Sequence, residues 1–315
     1  MKIAFIFPGQ GAQYVSMGKD FYSSFDQAKK IYDEADRLLG YKLSSIIFEG
    51  PEEELTKTKN SQVAIYVNSV AILEVLRSLF PGLQPTVTSG LSLGEYTALY
   101  ASGRVTFSEG LLLVQKRAEF MNDACEKIVG KMSAVLGLSY QTVKEVTDAT
   151  DGVWLANCNC PNQIVISGTE KGVEQATLQL KEKGAKRVIP LVVHGAFHSG
   201  LMQDAQDRLA FYVDQTEIKD SSVSFVMNVP GDFVSSADSI KSYLKDQVTR
   251  SVLWEMGIRE IEKKGVDVYL EIGCGKTLSG MNKKIKTQAP TISIDKVEDV
   301  ETLKTFLKDQ GDDLC

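Results

Sequence analysis

Histidine is nearly missing from this chain: two residues in 315. Any chemistry needing an imidazole near neutral pH must use His194 or His198, so each becomes conspicuous. Cysteine is scarce and unpatterned. The five residues, an odd number at 125, 158, 160, 274 and 315, lack the pairings of a disulfide framework. Cys158 and Cys160 are separated by one residue, whereas zinc ligands usually have at least two between them, so no metal is expected. A basic surplus is also lacking: 35 Lys and Arg against 41 Asp and Glu leave a net charge of -6. That balance excludes nucleic acid as a partner, because a polyanion needs a dominant basic face. No stretch reads as the ~20 apolar residues of a membrane span. The N-terminal apolar run stops at Pro8-Gly9, too short for a signal peptide core, and reads as a buried strand. A cytoplasmic protein without membrane contact is expected. Internal repeats and low-complexity segments are absent, and the acidic stretch Asp309 to Asp313 reads as a solvated end.

Hydrophobic residues at 43% and charged residues at 24% are ordinary globular values. A chain of this length exceeds one typical core, which predicts two domains or one large domain carrying an inserted smaller one. Lys2 to Phe7 reads as a first strand, followed by a polar, glycine-rich turn at 8–13. Helical spacing marks Phe25 to Leu39 and Gln62 to Leu79, the second through Val63, Val67, Val70, Leu73 and Leu76. Helix, strand and glycine-rich connection in alternation predict an α/β fold with a hydrolase-like parallel sheet covered by helices.

Between about 128 and 198 the rhythm changes. Strand Met132 to Leu138, helix Gln141 to Thr147, strands Val153 to Asn157 and Gln163 to Ser167, helix Lys171 to Lys183 and strand Arg187 to Val192 follow in turn. This β-α-β-β-α-β order predicts a ferredoxin-like α+β unit, inserted as residues 128–198 into a large domain of 1–127 plus 199–315. Beyond it, Leu201 to Asp214, Ala237 to Gln247 and Trp254 to Lys264 read as helices, with strands at Val223 to Asn228 and Val268 to Ile272. The string Gly273-Cys274-Gly275-Lys276-Thr277 mimics a nucleotide-binding loop. Position 270 is leucine where that motif needs glycine, so a phosphate cradle is not supported.

Gly90-Leu91-Ser92-Leu93-Gly94 lies between the β-prone Thr86-Val87-Thr88 and the helix-prone run from Glu95 to Leu99. This is the sequence form of a nucleophile elbow, in which a serine projects from a tight strand-to-helix turn and the glycines remove Cβ atoms that would collide. The helix starting there aims its first N–H groups at any oxyanion that forms. A serine needs a base, and both histidines lie in the segment His194 to Ser199, at the predicted junction of the two units. Clefts tend to lie between domains.

Gly9-Gln10-Gly11-Ala12-Gln13, Gly90-Leu91-Ser92-Leu93-Gly94-Glu95-Tyr96, Gln115-Lys116-Arg117 with Met121, Ala196-Phe197-His198-Ser199 with Met202, and Glu271-Ile272-Gly273 occur in order. Together they resemble the motif set of malonyl-CoA:acyl-carrier-protein transacylases, over residues 1 to about 295. The resemblance implies that Ser92 takes malonyl from malonyl-CoA as an ester and yields it to the phosphopantetheine thiol of acyl carrier protein, in fatty-acid biosynthesis. It implies His198 as base, with His194 the weaker candidate, oriented by the backbone carbonyl of Gln247. The oxyanion hole would be the N–H groups of Gln10 and Leu93. Arg117 would clamp the malonate carboxylate, its two parallel donors matching two oxygens, and Met121 would line the same pocket. No cofactor is implied, since coenzyme A arrives within the substrate.

The chain departs from the family pattern at Leu91, where histidine is common, and at 247–252, which lacks the usual asparagine-proline pair. Ala196-Phe197-His198 resembles the string that accompanies malonyl choice in polyketide acyltransferases. A stand-alone polyketide acyltransferase, a serine thioesterase or hydrolase, and an inactive carrier-binding module are the competing readings. Lys181, Lys183, Lys186, Arg187, Lys283, Lys284 and Lys286 are candidates for a patch that docks an acidic carrier.

Overall fold

The computed structural model describes residues 1–311; part of the acidic end (Asp312, Asp313) and Cys315 lie outside the described residues. Ten strands form two sheets: β1 (Ile3–Phe7), β2 (Val87–Gly90), β3 (Gly130–Leu136), β4 (Val153–Cys160), β5 (Gln163–Thr169), β6 (Arg187–Pro190), β7 (Ser224–Met227), β8 (Asp232–Phe233), β9 (Val268–Ile272) and β10 (Thr291–Ile294). The larger sheet has the order β10-β9-β1-β2-β7-β8, parallel except where β8 returns antiparallel on β7. Every residue of β1, β2 and β9 is buried. Continuous apolar strands of this kind need cover on both faces, as a helix-flanked parallel sheet supplies.

The helix Thr58–Leu79 is the main filler of the core, with 17 of its 22 residues buried. By length and composition it could cross a membrane, so the expectation of no such stretch needs correcting. Its most apolar window is 78% buried inside the protein, where its Val, Ile and Leu side chains join the main hydrophobic cluster.

The second sheet, β4-β5-β3-β6, is antiparallel throughout. It is built wholly from residues 130–190, with the helices Tyr140–Asp148 and Glu170–Glu182 closing a separate small core around Val135, Val143, Ile166 and Leu180. This is the expected ferredoxin-like arrangement. Its last strand stops at Pro190, two residues short of the predicted end, and Leu191 to His194 instead run exposed along the rim of a cavity. A seam joins the edge strand β4 to the larger unit: Val252 donates to Ala156 O and accepts from Cys158 N, both at 2.8 Å.

Parallel register sets the place of the site. Phe7 pairs with Gly90, so β1 and β2 end level, and the turns that follow them face each other. In the sheet order the chain runs from β1 to β2 on one side and places β9 on the other. Crevices for ligands form at such a reversal, beyond the carboxyl ends of the strands. The string 273–277 is the turn from β9 into the helix Thr277–Ile285. The carboxylate of Glu271 already accepts from Leu278 N and Ser279 N, leaving no free cradle for phosphate at those amides.

Candidate active site

The turn after β2 is as tight as the two glycines predict. A methyl group on Gly90 would lie 2.0 Å from the Gly94 carbonyl, and one on Gly94 would lie 2.2 Å from Phe7 O. Both are far inside van der Waals contact, so neither position accepts a side chain. Between them Ser92 is left-handed, with φ of 50°, a region that non-glycine residues enter only when held there. The hold is visible. Ser92 N–H donates to Asn228 Oδ1 at 2.7 Å, and its carbonyl accepts from Gln247 Nε2 at 2.9 Å. Asn228 directly follows β7, the neighbour of β2, and its Nδ2 donates to Gly90 O at 2.7 Å.

His198 reaches the same point from the segment that returns from the second sheet. It too is left-handed, with φ of 55°, and 4% exposed. Ser92 Oγ is 2.8 Å from His198 Nε2, and His198 Nδ1 is 2.7 Å from the Gln247 carbonyl. A carbonyl only accepts, so Nδ1 carries the proton and the Nε2 lone pair faces the hydroxyl. Burial, then the nearby Arg117 charge, push the imidazole down from 6.5 to about 4, against the pull of hydrogen bonds to the backbone of Gln247 and Arg250. The ring is therefore neutral and able to take a proton at physiological pH. His194 lies on the cavity rim, exposed.

The direction of this shift has a sign. Between 6.5 and about 4 the unfolded chain binds the proton that the folded ring refuses, so this contribution to stability is present above 6.5 and lost as pH falls through about 4. An NMR titration of the His198 ring should give a midpoint near 4, with the ring neutral at pH 6.5; a midpoint at the ordinary value would mean a solvated imidazole.

Arg117 is not the surface residue that an amphipathic helix would suggest. The helix Phe107–Lys127 starts at a reciprocal cap between Thr106 and Glu109, and it turns Arg117 inward to 1% exposure. Burial draws the guanidinium below its usual value, with Tyr96 and Glu95 opposing; an arginine keeps its charge in proteins. It donates to Gln62 Oε1, to Ser92 Oγ at 3.0 Å and to Gln247 Oε1 at 2.9 Å. Its Nε has no acceptor among the described residues.

Gln10 and Leu93 meet across the two level turns. A methyl on Gly9 would strike Leu91 O at 2.4 Å, which measures how closely the turns approach. Among the described residues, the N–H groups of Gln10 and Leu93 find no acceptor in the protein. Leu93 is fully buried, while Gln10 lines the cavity and contacts Thr58 and Gln62 through its amide. Met121 lines it too, with Sδ 3.6 Å from Gln62 Nε2. The cavity of about 370 Å³ is of small-molecule size, and it runs from Ser92 between the two sheets to Leu191, Val192 and Val193. Among the described residues no cluster of three or more His, Cys, Asp or Glu side chains could hold a metal ion.

The family model described as the acyl transferase domain matches residues 4–313. The chain belongs to the acyl transferase family. This acyl transferase is 46% identical, over 315 residues and 99% of both chains, to the malonyl CoA-acyl carrier protein transacylase of Bacillus subtilis (strain 168). Its fold matches the crystal structure of malonyl CoA-acyl carrier protein transacylase from Clostridium perfringens Atcc 13124 with a TM-score of 0.93, at 36% identity, covering 99% of this chain and 98% of that one. A type II PKS acyl-carrier protein in complex with its malonyl-transacylase is similar at a TM-score of 0.91 and 33% identity, over 96% and 98%.

Three residues of the site are given no role by the sequence reading. Gln62 directly precedes the apolar positions Val63 to Leu76 on its helix, and its burial among them leaves little mark in the sequence. Asn228 stands at the carboxyl end of a parallel strand. Glu95, an acid just before the run Tyr96 to Ala101, is fully buried. Its oxygens accept from Asn228 N at 2.6 Å and Gln247 Nε2 at 2.7 Å. Burial lifts its carboxyl to about 8, with those donors and Arg117 pulling the other way.

Proposed function

We propose that this protein moves a malonyl group from malonyl-CoA to the phosphopantetheine thiol of acyl carrier protein, through an ester on Ser92, in fatty-acid biosynthesis in the cytoplasm. The observation that carries the reading is the meeting at one oxygen: Ser92 Oγ stands 2.8 Å from a neutral imidazole and 3.0 Å from a buried guanidinium. The Ser92 proton passes to His198 Nε2 as Oγ attacks the thioester carbonyl, whose oxygen the N–H groups of Leu93 and Gln10 receive. The C–S bond breaks and the coenzyme A sulfur leaves with the proton from His198. The carrier thiol then gives its proton to His198 and attacks the ester carbonyl, and Ser92 Oγ departs with that proton. Coenzyme A is substrate here, and the steps call for no resident cofactor.

Arg117 fits the malonate carboxylate because it is buried and lines the cavity with its Nε unpartnered among the described residues and its other donations made to three neutral side chains. Arg117→Ala should lower malonyl use relative to acetyl use by about 10- to 100-fold, the worth of a charge-assisted contact. Competition between the two thioesters for carrier acylation measures the ratio; equal losses for both would remove the clamp.

A hydrolase reading differs only in the second acceptor. Against it, the His198 partner is a carbonyl and not the acid residue that α/β-hydrolases place between serine and histidine. Incubation with malonyl-CoA, followed by intact mass and carrier acylation, separates the outcomes. A stable adduct passed to the carrier supports transfer, rapid malonate release supports hydrolysis, and no adduct supports a binding module. For docking, Lys181, Lys183, Lys186, Arg187, Lys283, Lys284 and Lys286 are all exposed, as a surface for an acidic carrier requires. We take 128 and 198 as the limits of the inserted domain.

A further inference from the structure

Glu95 is fully buried in the first turn of the helix that follows Ser92, yet no step of the transfer uses its carboxyl. Burying an acid is costly unless its oxygens are engaged, and both are. One receives the backbone N–H of Asn228, whose side chain holds Ser92 N and Gly90 O. The other receives Nε2 of Gln247, whose carbonyl takes His198 Nδ1, whose Oε1 takes Arg117 Nη2, and whose Nε2 also holds the Ser92 carbonyl. We propose that Glu95 is a positioning residue that sets the direction of the Gln247 amide, and so fixes elbow, base and guanidinium together. The role rests on the transfer reading above.

The argument turns on polarity. A side-chain amide can be turned over with little change of shape, so its partners decide which end is which. Arg117 can only donate, which demands Oε1. Ser92 O only accepts, which demands Nε2, and a Glu95 oxygen is the second acceptor of that same nitrogen. Replacing the acid by an amide removes one of those demands: either Asn228 N or Gln247 Nε2 then faces another donor, or Gln247 turns over and presents its NH₂ to Arg117.

Glu95→Gln should therefore lower kcat/KM for malonyl-CoA by about 10- to 100-fold per active site, with active sites counted by the burst of malonyl ester, and should cut the malonyl-to-acetyl preference by about tenfold. A residue with a merely structural role would lower the melting temperature or the burst and leave both ratios unchanged. The exchanged pair Glu95→Gln with Gln247→Glu restores one donor and one acceptor across the contact and keeps an acceptor for Arg117. It should recover at least about tenfold over Gln247→Glu alone, in which two carboxyls meet. Wild-type ratios in Glu95→Gln, or an exchanged pair that gains nothing, would overturn the role of Glu95. Wild-type protein that takes no malonyl ester would instead overturn the transfer reading itself.

Discussion

Ser92→Ala leaves the protein without a malonyl adduct and lowers carrier acylation by roughly ten-thousandfold or more, the scale on which removing a catalytic serine acts. The structure makes this a clean subtraction. Ser92 is held in its left-handed conformation by its backbone N–H and carbonyl, not by its hydroxyl, so alanine keeps the turn. The hydroxyl also occupies Arg117 Nη2, and removing it frees that donor for a carboxylate. The variant should therefore bind malonyl-CoA at least as tightly as wild type while forming no ester. Equilibrium binding and intact mass on the same sample decide the matter. An adduct that persists in Ser92→Ala would place the nucleophile elsewhere.

His198→Ala should slow formation of the ester by about 10²- to 10⁴-fold, the usual worth of a positioned general base. The hydroxyl, the oxyanion donors and the guanidinium all remain, so the ester still forms, slowly. Its rate should climb as pH is raised, since hydroxide must replace the lost base. Rapid-mixing mass measurements at several pH values test this. A variant that acylates at the wild-type rate would show that the 2.8 Å contact has no part in the chemistry. The Gln247 carbonyl loses its donor in this variant, so thermal unfolding should accompany the kinetics.

Where local spacing speaks for itself, the chain is readable. Gly90 and Gly94 bracket a serine, and the structure shows the collisions they avoid. The β-α-β-β-α-β rhythm of 130–190 appears as one antiparallel sheet because three of its four strands run seven or eight residues between clear turns. Short elements outside such a rhythm are harder: β10 (Thr291–Ile294), three of its four residues half-buried, and the helix Thr277–Ile285 go unread because no flanking pattern marks them. The carbonyl that meets His198 was legible through family likeness alone, since a backbone oxygen leaves no mark in a side-chain pattern. Asn228 was illegible for another reason. An asparagine after a strand reads as a turn former, and only the pairing of β7 with β2 brings it beside Ser92.

The seam at Val252 bears on traffic. Five residues beyond Gln247, the main chain exchanges two hydrogen bonds with Ala156 and Cys158, and Ser251 Oγ adds a third to Leu155 O. Swinging the two lobes apart would tear these links and pull on the Gln247 carbonyl that meets His198. A jaw stitched at its corner resists gaping around the throat that leads to Ser92. In the proposed transfer both thioester arms must use that one throat by turns, so free coenzyme A should compete with the loaded carrier for the entrance.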